Sequence, residues 1–177
     1  AKRVIITAPA KDADGPRGKT ILMGVNEGEL ETVALSSNGS CTTNAASPVI
    51  QILSENPGIK NAVLNTVHGY TATQKLVDGP DSKDMRRGRA AAINIVPSST
   101  GAAEAVIQAI PDLQGLFDGI AIRIPIVTGS LVMITALLSR KTTVGEINEI
   151  FKKSAEDLRW SKTMAVTNDP LFSSDII

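Results

Sequence analysis

Apolar residues along this chain fall into two patterns. Short unbroken apolar runs, bounded by Gly, Pro or polar residues, predict strands at Val4-Ile5-Ile6-Thr7, Thr20–Asn26, Asn61–Val67, Phe117–Pro125 and Leu131–Leu138. Apolar positions three and four apart predict helices. One follows Cys41, a second runs from about Ala102 to Pro111, and a third starts at Thr143. The third carries Val144, Ile147, Ile150 and Phe151 on one face, with Thr143 and Glu146 as a capping box. Leu35-Ser36-Ser37-Asn38-Gly39 reads as a loop, and the chain past Trp160 reads as extended and loop-like. Tyr70 to Arg89 has no clear period, and a loop of that length is uncommon unless it binds something.

Chemistry concentrates at Ser40-Cys41-Thr42-Thr43-Asn44, which holds the only cysteine. The helix that follows has Ser40 or Ser47 as its N-cap, and Pro48 either sits inside it or opens a later start. If Ser40 is the cap, Cys41 lies in the first turn, where free N–H groups and the helix dipole favour a thiolate over a thiol. A lone cysteine is equally at home as a small buried hydrophobe. The strand Asn61–Val67 delivers His68, the single histidine, at its end, a common placement for a functional side chain. Pro97-Ser98-Ser99-Thr100-Gly101 before a helix has the composition of an anion cradle, though also that of a plain cap. Arg123 interrupts an apolar strand and must find an anionic or polar partner, while Arg86-Arg87-Gly88-Arg89 is either a solvated basic face or an anion site.

Composition narrows the classes. A chain of 177 residues can bury a substantial core. Its 18 basic and 18 acidic residues cancel to a net charge of +0, so no field implies nucleic acid or an anionic membrane as partner. Hydrophobic residues make up 42%, with no apolar run near the ~18 needed to span a bilayer. One cysteine allows no intrachain disulfide, and a cytoplasmic setting is expected. No metal site is expected. Two strands at the start, with no helix before them, are expected to be the tail of a larger sheet whose upstream half is missing.

Taken together, a cysteine, a histidine on another element, an anion cradle and a strand arginine point to acyl chemistry on a small phosphorylated molecule. Ser40-Cys41-Thr42-Thr43-Asn44, with Thr66-Val67-His68-Gly69-Tyr70-Thr71, resembles the glyceraldehyde-3-phosphate dehydrogenase family. Ala8-Pro9-Ala10-Lys11, Leu76-Val77-Asp78-Gly79-Pro80, Arg86–Ala92, Ser99–Ala103 and Arg123-Ile124-Pro125 follow in that family's order, covering essentially the whole chain.

The resemblance implies an α+β fold: a mixed or antiparallel sheet with helices packed on one face, preceded by a remnant of a Rossmann-type parallel sheet. Residues 1–38 would be the C-terminal remnant of a dinucleotide-binding domain. Residues 39–177 would be the catalytic domain without its final helix. It implies that Cys41 is the nucleophile and His68 its general base in the phosphorylating oxidation of glyceraldehyde 3-phosphate, with NAD or NADP as hydride acceptor. Thr71 and Arg123 would hold the substrate phosphate; Ser40, Thr42, Thr100, Gly101 and Arg87 would serve the attacking inorganic phosphate. The complete protein would be a homotetramer, with the loop from Ala72 to Arg89 packed between subunits. Erythrose-4-phosphate dehydrogenase shares the scaffold and is the alternative enzyme; a catalytically silent interaction fragment is the alternative of another class.

Departures from the family pattern are few. Ala45 replaces a frequent second cysteine, Gly39 and Gly88 stand where alanine is common, and Ile126-Val127-Thr128-Gly129-Ser130 replaces the usual run after Pro125. No G-x-G-x-x-G follows a strand, so cofactor-binding residues are not identified in this chain.

Overall fold

In a computed structural model, residues 1–176 are described, and they form two sheets. The smaller is three-stranded and parallel, built from β1 (Val4–Ile6), β2 (Gly18–Thr20) and β3 (Leu35–Ser37), in the order β1-β3-β2. The larger is mixed. Its strands are β4 (Ile59–Gly69), β5 (Val96–Ser99), β6 (Phe117–Ile124) and β7 (Ser130–Leu138), in the order β5-β6-β4-β7. Strands β4 and β6 run parallel, while β7 and β5 pair antiparallel on either side. The α+β expectation holds.

Helices α1 (Cys41–Glu55) and α2 (Ala102–Ala109) pack on one face of the larger sheet. Ala46 and Ile50 of α1 meet Ala62 and Leu64 of β4, Ala103 and Val106 of α2, and Phe117 of β6. This is the two-layer solution a half-apolar sheet requires. It also explains why β4 reads as alternating along its length, with Ala62, Leu64 and Thr66 buried. Helix α3 (Val144–Glu156) lies outside that core and buries none of its residues fully.

Three expectations need correction. The second strand is shorter and earlier than Thr20–Asn26: it ends at Thr20, after which the chain turns. The Asn26 side chain drives that turn, accepting from Leu22 N–H at 2.8 Å and donating to the Thr20 carbonyl at 2.9 Å. Leu35-Ser36-Ser37 is not a loop but the central strand of the small sheet, because Ser36 and Ser37 are buried with their polar groups satisfied between β1 and β2. Ser37 Oγ shows how: it donates to the Ala8 carbonyl at 2.8 Å and accepts from Ala10 N–H at 3.2 Å. Finally, the capping box at α3 is half formed. Thr143 accepts from Glu146 N–H at 3.2 Å, but the Glu146 carboxylate turns to Arg140, 2.6 Å away. Val144, expected on the packed face, is exposed.

Among the described residues, no helix is long and apolar enough to cross a membrane.

Candidate active site

The choice between Ser40 and Ser47 resolves to Ser40. Its Oγ accepts from Thr43 N–H at 3.0 Å and bonds the Thr43 hydroxyl at 2.7 Å, so Cys41 is the first residue of α1. Gly39 makes the approach possible: at φ +66° it occupies the left-handed region, where a side chain would be strained and would press on Thr43. Asn44 then pins both sides of this turn, its Nδ2 donating to the Asn38 carbonyl at 2.7 Å and the Ser40 carbonyl at 2.8 Å. Pro48 lies within the helix, leaving the Asn44 carbonyl without its usual amide donor. The result is an exposed thiol at a rigid helix start.

His68 reaches it from β4. Cys41 Sγ and His68 Nε2 are 3.3 Å apart, and His68 Nδ1 lies 2.7 Å from the Gly69 carbonyl. A carbonyl only accepts, so Nδ1 carries the proton and Nε2 presents a lone pair to the thiol. Strand register puts Arg123 beside His68 on β6, and Arg123 Nη1 donates to the same Gly69 carbonyl at 3.3 Å.

Arg123 is partly buried, and its Nε has no partner among the described residues; the same holds for Nε of Arg87. Burial lowers the Arg123 pKa from its ordinary value, a Cys41 thiolate opposes the shift, and the nearby Arg87 adds to it. Two guanidinium groups close enough to repel, each with an unsatisfied buried donor, form a place that an anion would stabilise. Arg87 is carried by a short turn, Met85–Gly88, held by Asp84, whose carboxylate accepts from Arg86 N–H at 3.0 Å. Gly88 is required there, since a side chain would collide with the carbonyl of Gly79, whose own N–H donates to the Gly88 carbonyl at 2.9 Å.

The remaining expected residues are held by local bonds or by burial. Thr71 follows two positions after Gly69, in a turn where its hydroxyl lies 2.9 Å from that of Thr73. Thr42, the next residue of α1, is buried, at 5% exposure. Thr100 Oγ1 accepts from Ala102 N–H at 3.1 Å, and Gly101 caps α2 without a side-chain bond. These two close the far end of β5, since Ser99 pairs with Ile120 while Val96 pairs with Arg123; their described hydrogen bonds do not join them to the cysteine group.

Two side chains that hydrogen-bond the backbone of this region, Asn44 and Gln74, are not singled out by the sequence. Asn44 was visible only as part of a motif, although an Asn in a first helical turn is a known competitor for backbone groups. Gln74 lay in a stretch with no period and carried no signal.

A family model of the glyceraldehyde 3-phosphate dehydrogenase C-terminal domain matches residues 40–177. Among curated proteins, a glyceraldehyde-3-phosphate dehydrogenase of Streptomyces coelicolor is 46% identical across 99% of this chain and 52% of its own length. One from Mycobacterium leprae is 46% identical across 100% of this chain and 51% of its own length. One from Borreliella burgdorferi is 44% identical across 99% and 52%. The chain spans about half the length of the curated relatives it matches.

Proposed function

Because this chain belongs to the glyceraldehyde-3-phosphate dehydrogenase family, we propose that it supplies the thiol half of a phosphorylating aldehyde oxidation, converting glyceraldehyde 3-phosphate to 1,3-bisphosphoglycerate. The observation that carries the reading is the Cys41–His68 contact at 3.3 Å, with Arg123 registered beside it.

In this reading His68 Nε2 takes the thiol proton, and the Cys41 thiolate attacks the aldehyde carbon to form a thiohemiacetal. The Gly69 carbonyl, already accepting from Nδ1–H, stabilises the imidazolium so formed. The developing oxyanion falls near the Cys41 backbone N–H, one of the free donors at the start of α1. Once hydride has left, the carbon is a thioester on Cys41; inorganic phosphate attacks it, the C–S bond breaks, and the acyl phosphate departs as the thiolate returns.

Arg123 and Thr71 hold the substrate phosphate, while Arg87, with Ser40, Thr42, Thr100 and Gly101, serves the attacking one. The unpaired buried Nε atoms of Arg123 and Arg87 support an anion at each place. The engagement of Ser40 Oγ in capping α1 and the burial of Thr42 leave their backbone N–H groups as the contacts best suited to that task.

NAD or NADP would accept the hydride. The described residues do not form a glycine-turn grip for its pyrophosphate: the one α-helix among them that directly follows a strand of the parallel sheet, α1, presents Cys41 at its start rather than a glycine turn. No cofactor contact is therefore assigned to this chain.

A homotetramer for the complete protein is supported by the sheet face opposite the helices, where Val63, Ile120, Leu131, Met133 and Leu137 stand exposed.

The test is alkylation of Cys41 by iodoacetamide at neutral pH. His68→Asn should slow it about tenfold or more, the low end of general-base effects. An unchanged rate would remove His68 from the mechanism.

A further inference from the structure

In the loop that joins Thr71 to Arg87 lies a buried amide. Gln74 is 6% exposed. Its Oε1 accepts from Thr71 N–H at 2.8 Å and from the Thr71 hydroxyl at 3.2 Å, and its own N–H donates to the Thr71 carbonyl at 2.9 Å. The next residue faces the other way: Lys75 N–H donates to the Arg87 carbonyl at 2.9 Å, and the Lys75 carbonyl accepts from Ala91 N–H at 2.9 Å. The pair Gln74-Lys75 thus grips Thr71 on one side and the backbone of Arg87 on the other.

Gln74 Nε2, by contrast, is buried with no partner among the described residues. An amide left half unsatisfied is a poor choice for packing alone, since an apolar side chain of the same size would avoid that cost. What the amide supplies and an apolar group cannot is the double acceptor for Thr71.

Resting on the reading above, in which Thr71 meets the substrate phosphate and Arg87 the attacking phosphate, we propose that Gln74 is a positioning residue that fixes Thr71 relative to Arg87 and so sets the spacing of the two phosphate positions. It touches neither phosphate. Its effect reaches the substrate through the Thr71 main chain and hydroxyl, and reaches inorganic phosphate through the Lys75–Arg87 pairing. A change at Gln74 should therefore be felt by both phosphorylated reactants and not by the thiol.

The test is steady-state kinetics of the complete dehydrogenase containing this chain, comparing wild type with Gln74→Met, which keeps the volume but removes the acceptor, and with Gln74→Ala. Both variants should raise KM for glyceraldehyde 3-phosphate and for inorganic phosphate about tenfold each, the loss that follows release of a positioned hydrogen bond. With inorganic phosphate saturating, the rate with unphosphorylated glyceraldehyde should stay at its wild-type value, and so should the rate of Cys41 alkylation. Added to Thr71→Ala, Gln74→Met should raise KM for the phosphorylated aldehyde no further. Equal losses on the two aldehydes at saturating inorganic phosphate, no change in either KM, or full additivity with Thr71→Ala would overturn the inference. A wild type that uses the two aldehydes equally well would overturn the underlying reading of the site along with it, before any variant is compared.

Discussion

His68 and Arg123 stand side by side on parallel strands and share one acceptor, the Gly69 carbonyl, at 2.7 Å from Nδ1 and 3.3 Å from Nη1. One peptide group thereby sets the imidazole tautomer and anchors one nitrogen of the guanidinium. The remaining face of the guanidinium, with its unpaired Nε, is left for an anion. The imidazole and the guanidinium are thus oriented by the same strand end.

From this follows the behaviour of Arg123→Leu. A charge-assisted hydrogen bond contributes about 1.5–3 kcal/mol. In the complete enzyme, kcat/KM for the phosphorylated aldehyde should fall at least about tenfold, while that for the unphosphorylated aldehyde should hardly change. Comparing the two substrates in one assay checks this; equal losses would mark Arg123 as structural.

Ser40→Ala removes the cap that starts α1 at the cysteine. Loss of a Ser cap costs about 1 kcal/mol, which for a chain of this size lowers Tm by about 2–4 °C. Cys41 alkylation should slow as well, because the first turn frays where the thiol sits. Calorimetry and labelling on the same sample read both effects, and a slower thiol with no loss of Tm would contradict the capping account.

Much of this was legible in the sequence. The strands β1, β4, β6 and β7 and all three helices announce themselves through apolar spacing, and the motif around Cys41 singles out the thiol that meets His68. What could not be read was decided by long-range pairing. Ser36 and Ser37 form a central strand only because β1 and β2 close on both sides. The turn after Thr20 depends on one Asn side chain folding back on the backbone. The sharing of the Gly69 carbonyl needs the register between β4 and β6, which no local pattern encodes. Gln74 was silent for the same reason, as its partners are set by a loop without periodicity.

The loop carrying Arg87 should be sensitive to acid. Asp78 accepts from Ala90 N–H and Arg89, Asp81 from the N–H groups of Asp84 and Lys83, and Asp84 from Arg86 through side chain and backbone. Each of these bonds holds the carboxyl below its ordinary pKa of 3.8. A depressed carboxylate stabilises the loop fully above the unfolded value, and that support is lost as pH falls through the folded value. Proteolysis within residues 75–89 should therefore accelerate from about pH 3.8 downward and be flat above it. Acceleration on raising the pH from neutral would contradict the assignment.

The most direct measurement needs no cofactor. Glyceraldehyde 3-phosphate labelled with carbon-13 at its aldehyde carbon, added to the purified chain, should give a thiohemiacetal carbon signal in the NMR spectrum. The signal should vanish in Cys41→Ser, weaken in Arg123→Leu, and be much weaker with unphosphorylated glyceraldehyde. A signal that survives Cys41→Ser, or that is equally strong for both aldehydes, would contradict the account of Cys41 as the nucleophile for a phosphorylated aldehyde.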